Sequence, residues 1–263
     1  MGFLAGKRAF IVGVATDRSI AWGIAQAMHR EGAELAFSYV NDKMKERVEP
    51  LAHSLGSRLT MPLDVTLDAQ SDAAFELLRR EWGQLDILVH AVAYAPREAL
   101  TGTFLQATSR EGFRVAHEVS SYSLTALAQR AHPLMAGRRG ALLTLTYLGA
   151  VCSIPGYNVM GLAKASLEAN VRFLAADLGP QGVRVCGIWT AGVADTLSEE
   201  KMKAVNENVP DLSKVKEMLA GMSVLRRNVS LSDVADAAAF LASDRAAGIT
   251  GTMLNVTSGL VLK

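Results

Sequence analysis

Short apolar segments alternate with longer amphipathic segments along most of the chain. Each short segment is bounded by polar residues or glycine, which is typical of a strand that is buried on both faces. The predicted strands are Ala9–Val12, Leu35–Phe37 ending near Tyr39, Leu59–Leu63, Leu85–Val89, Ala141–Leu145 and Val183–Ile188. Segments with apolar residues at helical spacing lie between them. The longest of these, Gly161–Leu178, is followed by the helix-stopping pair Gly179-Pro180.

This alternation predicts the fold class. Strand–helix–strand units are right-handed and produce a parallel sheet that helices cover on both sides. We therefore expect an α/β protein with a single doubly wound parallel sheet, Rossmann-like, and helices on both faces. No internal repeat or linker divides the sequence, so residues 1–263 are predicted to form one domain.

A charged segment between Asp195 and Arg227 interrupts the alternation. It is rich in lysine and glutamate, contains Pro210, and predicts one or two short amphipathic helices on the surface. It is either a solvated excursion or a lid over a ligand site. Ligands bind at the carboxyl ends of the strands in doubly wound folds, which favours a helical substrate lid at about residues 195–227.

Composition limits the kinds of binding partner and the cellular compartment that the sequence predicts. With 27 basic and 26 acidic residues, the chain lacks the usual electrostatic reason to bind nucleic acid or an anionic membrane. The longest apolar run, Ala141–Ile154, is shorter than the ~20 residues of a membrane helix. Cys152 and Cys186 lie in apolar stretches and predict buried, reduced thiols in a cytoplasmic protein. The histidines show no paired metal-ligand spacing, so no metal site is predicted.

The segment from Gly13 to Gly23 follows the first strand and opens the first helix, where a dinucleotide would bind. Such a site needs a tight turn, close backbone approach to the pyrophosphate and a helix N-terminus aimed at negative charge. The usual G-x-G-x-x-G is absent, so an ordinary glycine turn remains an alternative at this point. Asp64, after the third strand, is placed either to accept a bond from an adenine amine or to cap the next helix.

The end of the second strand bears on the choice of nicotinamide cofactor. The acidic residue that would bind both ribose hydroxyls of NAD is missing there. No arginine occupies Val40 or Asn41 to clamp a 2′-phosphate, although Lys43 is near. The sequence therefore favours NADH over NADPH only modestly.

Tyr157 and Lys164 are the strongest candidates for catalytic chemistry. They are seven residues apart, or two helical turns, so they are predicted to share a helix face. A phenol titrates near pH 10, and a nearby lysine cation favours its ionisation. The same lysine can hydrogen-bond a cofactor ribose. The pair suits reduction of a polarised carbonyl or its vinylogue, although spacing alone also fits a buried aromatic beside a surface charge.

Tyr157-x6-Lys164, with Tyr147 ten residues earlier, resembles the short-chain dehydrogenase/reductase superfamily. More narrowly, it is similar to the bacterial enoyl-acyl-carrier-protein reductases of fatty-acid synthesis. Further similar segments are Gly13-x5-Ser19-Ile20-Ala21-x-Gly23, Ile24 to Leu35, Ser120-Ser121-Tyr122-Ser123, Tyr157 to Arg172, and Arg226-Arg227. The resemblance covers nearly the whole chain in collinear order.

The resemblance implies an enzyme that transfers hydride from a nicotinamide cofactor to the β-carbon of a trans-2-enoyl thioester on acyl carrier protein. Tyr157 would stabilise charge on the thioester oxygen, Lys164 would hold the nicotinamide ribose, and Tyr147 would line the acyl site. The implied cofactor contacts are Gly13, Ser19, Ile20, Val40, Asp64, Val65, Ala91, Lys164 and Thr196. The family also implies a homotetramer, with the helix over Gly161–Leu178 as a contact face.

Several residues near the cofactor and substrate depart from the family pattern. Ala91 stands where serine is usual, Ala93 where glycine is usual, and Val40 where glutamine is usual in NADH-using relatives. Val193 and Asp195 also differ from the pattern. These changes suggest altered cofactor handling, substrate range or inhibitor response, as in a specialised or inhibitor-resistant isozyme. Two alternatives are a short-chain reductase of a different carbonyl substrate and a catalytically weak nucleotide-binding scaffold.

Overall fold

A computed structural model describes residues 2–190, 193, 196 and 212–260. Its seven-stranded sheet has the order β3-β2-β1-β4-β5-β6-β7, and all neighbouring strands are parallel. The strands are β1 (Arg8–Val12), β2 (Glu34–Tyr39), β3 (Thr60–Pro62), β4 (Ile87–His90), β5 (Ala141–Tyr147), β6 (Arg184–Thr190) and β7 (Met253–Val256). The predicted α/β class and doubly wound sheet are confirmed.

The strand order reverses at β1, which places a crevice at its carboxyl end. From β1 the chain runs outward through β2 and β3, then returns to β4 on the other side of β1. Ile11 pairs with Phe37 of β2 on one side and with Val89 of β4 on the other. The chain segments that follow β1 and β4 therefore lead to helices on opposite faces of the sheet, with an opening between those helices where ligands of such sheets bind.

Helices cover both faces of the sheet. The helices of the described residues are α1 (Ile20–Arg30), α2 (Asp42–Ser54), α3 (Asp68–Trp82), α4 (Phe104–Ala107), α5 (Arg110–His117), α6 (Ser123–Met135), α7 (Val159–Leu178), α8 (Leu212–Met222) and α9 (Leu231–Ala242). A π-helical turn, Glu118–Tyr122, joins α5 to α6. None of the helices in the described ranges is long and apolar enough to span a membrane.

Two apolar cores lie on opposite sides of the sheet because successive strand residues point to opposite faces. Ile11 belongs to the core beneath α1, α2 and α9, whereas its neighbour Phe10 belongs to the core beneath α3, α6 and α7. This double burial explains why the strands read as continuous apolar runs rather than as alternating ones.

The structure corrects three expectations about individual elements. The third strand is shorter than predicted, and β7 (Met253–Val256) was not predicted because it lies at the sheet edge, is only partly buried and contains Asn255. Cys186 is buried as expected, but Cys152 is exposed because it lies in the loop that follows β5, outside both cores. Helix α8 lies within the segment predicted to form a lid, whereas Asp195 and residues 197–211 of that segment lie outside the described residues.

Candidate active site

A cavity of about 450 Å³ opens at the carboxyl ends of β1, β2 and β4. Five of the residues predicted to contact a cofactor line it together, namely Gly13, Val40, Asp64, Val65 and Ala91. These residues follow strands that are far apart in sequence. The parallel sheet brings the carboxyl ends of those strands to the same side, where the residues meet. This cavity is the candidate adenosine site.

Gly13 is required where the loop after β1 meets the loop after β4. Its φ of +112° lies in the region that side chains other than glycine rarely adopt. A Cβ at this position would also fall 2.2 Å from the carbonyl oxygen of Ala91. The glycine therefore permits close contact between the two backbone segments that line the cavity.

The N-terminus of α1 is left open for an anionic group. Ser19 precedes the helix, but its hydroxyl makes no capping bond and instead accepts hydrogen bonds from Ala15 N (3.1 Å) and Thr16 N (3.0 Å). The first turn carries no acidic side chain. Ile20 and Ala21 begin the helix and line a second cavity of about 320 Å³. Uncapped helical amides at such a place fit a pyrophosphate.

Asp64 does not cap the following helix, so that alternative is wrong. Its Oδ1 accepts bonds from Thr66 N (2.9 Å) and Thr66 Oγ1 (2.7 Å), while Leu67 is the residue that precedes α3. Its position on the cavity wall fits the adenine role. Val40 is 48% exposed at the same cavity, and its side chain offers no polar atom to a ribose hydroxyl. The side chain of Asn41 is engaged, since it accepts a bond from Met44 N at the start of α2.

The second cavity joins the cofactor residues to the catalytic candidates. Ser19, Ile20, Tyr147, Lys164 and Thr196 line it together. Thr196 is held in a turn, where both its backbone N (3.0 Å) and its Oγ1 (2.9 Å) donate to the carbonyl oxygen of Val193. The structure thus places every predicted cofactor contact on one of two adjoining cavities.

Lys164 is buried rather than a surface charge. Its side chain projects from α7 toward the end of β5, where Nζ donates to the carbonyl oxygen of Leu145 at 2.8 Å. Burial lowers the pKa of Lys164 to about 8, and the carboxylate of Glu168 opposes that shift. A buried amine in a cavity, held by one backbone acceptor, retains donors for a ligand.

Tyr157 lies in the turn before α7, not on the helix face that it was predicted to share with Lys164. The helix begins at Val159, and Asn158 just before it has a φ of +42° that interrupts helical geometry. The ring of Tyr157 packs onto Gly149, where a Cβ would fall 2.3 Å from Cδ1 of the ring. Its ring centroid lies 5.0 Å from that of Tyr147 at an interplanar angle of 63°.

The pKa of Tyr157 moves in the direction opposite to the prediction. Burial raises it above the ordinary phenol value, and Tyr147 adds to the shift. Burial also raises the pKa of Tyr147. The ammonium of Lys164 does not offset the desolvation of the Tyr157 hydroxyl in this structure. Both phenols therefore stay protonated at neutral pH and can act as hydrogen-bond donors.

Sequence reasoning missed a buried polar network beneath these residues. His90 is fully buried at the end of β4, with Nδ1 2.8 Å from Thr144 Oγ1 and Nε2 2.8 Å from Ser123 Oγ. Ser123 donates its single hydroxyl hydrogen to Val119 O, so it accepts from His90 Nε2–H. Burial, with a contribution from Lys164, lowers the pKa of His90 to about 3 and keeps it neutral. In the sequence, polar residues at the ends of strands are the signal that could have revealed this network.

The described residues contain no group of three or more histidine, cysteine, aspartate or glutamate side chains that could hold a metal ion. A doubly wound parallel sheet, two adjoining cavities at its strand ends, and a tyrosine, Tyr147, that lines one of these cavities with the buried Lys164 define the class of short-chain dehydrogenases and reductases.

Comparison with known proteins gives the family. A family model described as "Enoyl-(Acyl carrier protein) reductase" matches residues 13–261. The NADH enoyl-[acyl-carrier-protein] reductase FabI of Salmonella typhimurium is 51% identical over 259 residues, covering 98% of this chain and 95% of the relative. The chain belongs to the enoyl-acyl-carrier-protein reductase family.

Solved structures of family members have the same fold. The Bacillus cereus enoyl-acyl carrier protein reductase, solved with NADP⁺ and indole naphthyridinone, is 41% identical, with a TM-score of 0.92 and full coverage of both chains. The Anaplasma phagocytophilum enzyme, solved with NAD, is 42% identical, with a TM-score of 0.89, covering 98% of this chain and 93% of that one.

Proposed function

We propose that this protein is an NADH-dependent enoyl-acyl-carrier-protein reductase of fatty-acid synthesis. Its substrate is a trans-2-enoyl thioester carried by acyl carrier protein. The observation that carries the proposal is the meeting of Tyr147, Lys164 and the cofactor-contact residues around one cavity, with Tyr157 stacked edge-on against Tyr147. The family relationship supports the same activity.

The residues around the two cavities fit a dinucleotide. The open N-terminus of α1, at Ile20, would hold the pyrophosphate, and the carboxylate of Asp64 would accept a bond from the adenine amine. The described residues that line the adenosine cavity include no lysine or arginine to pair with a 2′-phosphate, which supports NADH as the cofactor. When bound, NADH supplies the hydride that is added to the β-carbon.

Tyr157 and Lys164 have different tasks in this proposal. Negative charge builds on the thioester oxygen as the double bond is reduced, and the Tyr157 hydroxyl donates a hydrogen bond to that oxygen. Its raised pKa keeps the proton on the phenol until that charge develops. Lys164 uses its remaining ammonium hydrogens to hold the ribose hydroxyls. Tyr147 forms the wall of a further cavity of about 550 Å³ with Tyr157, Leu100 and Ile154, which would take the acyl chain.

Nicotinamide absorbance tests this function directly. We expect rapid oxidation of NADH, and slower oxidation of NADPH, with a trans-2-enoyl thioester on acyl carrier protein. Tyr157→Phe removes one oxyanion donor and should lower kcat by about 10²–10³-fold. Tyr122→Phe is the matched control, because Tyr122 is exposed and lies in the π-helical turn.

Two results would contradict the proposal. Reduction of a ketone without reduction of the enoyl thioester would identify a different short-chain reductase. Binding of NADH without turnover of either substrate would identify a nucleotide-binding scaffold.

We further propose a single catalytic domain with a lid at about residues 195–227, acting as a homotetramer in the cytoplasm. The exposed apolar side chain of Phe173 on α7, 75% accessible, supports contact between copies along that helix. Light scattering coupled to size-exclusion chromatography would measure the assembly, and a monomer at micromolar concentration would contradict it.

A further inference from the structure

A carboxylate with no task in the proposed reaction is buried one helical turn beyond Lys164. Glu168 is only 8% exposed, and it lies four residues after Lys164 on α7. Side chains at this spacing share one helix face and are close neighbours. Both reach the end of β5: Lys164 Nζ donates to Leu145 O at 2.8 Å, and Glu168 Oε1 accepts from Thr146 Oγ1 at 2.7 Å.

Burial of this carboxylate calls for a physical reason. A buried charge is costly unless it is paired and hydrogen-bonded, and the hydroxyl of Thr146 is a neutral partner. The ammonium of Lys164 is a buried cation on the same helix face, whereas Arg172, four residues beyond Glu168, is exposed. The carboxylate of Glu168 therefore offsets part of the desolvation cost of the Lys164 ammonium, and the two side chains bond adjacent residues of β5.

We propose that Glu168 is a positioning residue that keeps Lys164 in its charged ammonium form at the end of β5. The inference uses the proposed function only to say why the charge matters, because an ammonium has three donors and a neutral amine has two. The charge state itself can be measured without cofactor or substrate.

The other titratable or charged groups around Lys164, in the described part of the chain, do not supply a negative charge at neutral pH. His90 faces it from β4 and is neutral, with its pKa lowered to about 3. Tyr147 at the end of β5 and Tyr157 before α7 are protonated phenols. Arg18, from the loop after β1, lines the same cavity and is a second cation. Glu168 raises the pKa of Lys164, whereas burial lowers it to about 8.

The test measures the titration of Lys164 in the full-length protein without cofactor. Acetic anhydride reacts with neutral amines only, so labelling of Lys164 as a function of pH, read by mass spectrometry, gives its pKa. In Glu168→Gln we expect this midpoint to fall by about one pH unit, the loss of one neighbouring opposite charge. NADH affinity should then fall about five-fold at pH 8 and stay unchanged at pH 6, where Lys164 is charged in both proteins.

Two further variants separate charge from packing. Thr146→Val removes the hydrogen bond to Glu168 but leaves the carboxylate, so the Lys164 midpoint should keep its parent value. Glu168→Asp shortens the side chain by one methylene and so moves its charge away from Lys164. The Lys164 midpoint in this variant should lie between those of the parent and of Glu168→Gln.

The proposal is overturned if Glu168→Gln folds, as checked by circular dichroism, and its Lys164 is labelled with the same midpoint pH as in the parent protein. It is also overturned if Thr146→Val lowers the midpoint as much as Glu168→Gln does, since packing would then be the cause. Should Glu168→Gln fail to fold, a parent midpoint in Glu168→Asp overturns the proposal instead. If the parent protein does not oxidise NADH but Glu168→Gln still lowers the Lys164 midpoint, the proposed reaction is wrong and this charge pair is not.

Discussion

Asp86 offers a stability prediction that is independent of catalysis. Its side chain is fully buried just before β4, at the amino-terminal ends of the strands, whereas the candidate site lies at their carboxyl ends. It accepts hydrogen bonds from Arg8 N at 2.9 Å and from Arg138 Nε at 2.7 Å, and Lys7 Nζ lies 4.0 Å away. Asp86→Ala leaves a backbone amide and a guanidinium without this acceptor while the cavities keep all their lining residues.

The expected loss follows from the burial of these partners. Removing one member of a buried, hydrogen-bonded charge pair costs about 3–5 kcal/mol of unfolding free energy. The side chain of Arg138 is 31% exposed and also bonds Gln84, so water and that amide recover part of the loss. We therefore expect about 3 kcal/mol, or a fall in Tm of about 6–12 °C for a domain of this size.

Chemical denaturation and thermal unfolding would measure this loss, with kcat/KM as the check on the site. Asp86→Asn keeps an acceptor for Arg8 N and should cost less, about 1–2 kcal/mol. Asp244→Asn is the matched control, because Asp244 also pairs with Lys7, at 3.6 Å, but is 51% exposed and should cost under about 1 kcal/mol. Equal losses for Asp86→Ala and Asp244→Asn would refute the reasoning from burial.

Three other predictions concern thiols, pH and the cofactor cavity. Cys152 is exposed and Cys186 is buried, so a thiol reagent should titrate one group in the native protein and two after denaturation. Arg227 lowers the pKa of Asp233 below its ordinary value, so this pair stabilises the fold above about pH 4 and loses that effect as pH falls. In Asp233→Asn, the Tm should therefore fall less steeply with acidification than in the parent protein. Ala93 lines both cofactor cavities, so Ala93→Gly should lower the KM for NADH, and an unchanged KM would remove the main support for altered cofactor handling.

The sheet could be predicted because burial on both faces leaves a direct mark on the sequence. Phe10 and Ile11 are neighbours that enter different cores, so the run containing them is apolar without interruption. An edge strand carries no such mark. β7 contains Asn255, has partly exposed side chains and, among the described strands, pairs only with β6, so its pattern does not differ from that of a loop.

The sequence named cofactor-contact candidates that the structure brings to two adjoining cavities, but it did not predict the geometry of the catalytic candidates. The spacing of Tyr157 and Lys164 predicted a shared helix face, yet the helix starts between them because Asn158 adopts a positive φ. A single residue's backbone conformation of this kind depends on tertiary contacts around the turn. Cys152 was misplaced for a similar reason, since local apolarity does not show that the chain has already left the core.

Burial acts in opposite senses on the two catalytic candidates, and this explains why the site needs a countercharge. Loss of water disfavours the charged form of any group, so it raises the pKa of Tyr157 and lowers that of Lys164. In the proposed reaction, the first shift helps the phenol donate a hydrogen bond, whereas the second shift works against a charged lysine. A carboxylate one helical turn from Lys164 opposes the second shift without reversing the first. Glu168 has the burial, spacing and hydrogen bond that this arrangement requires.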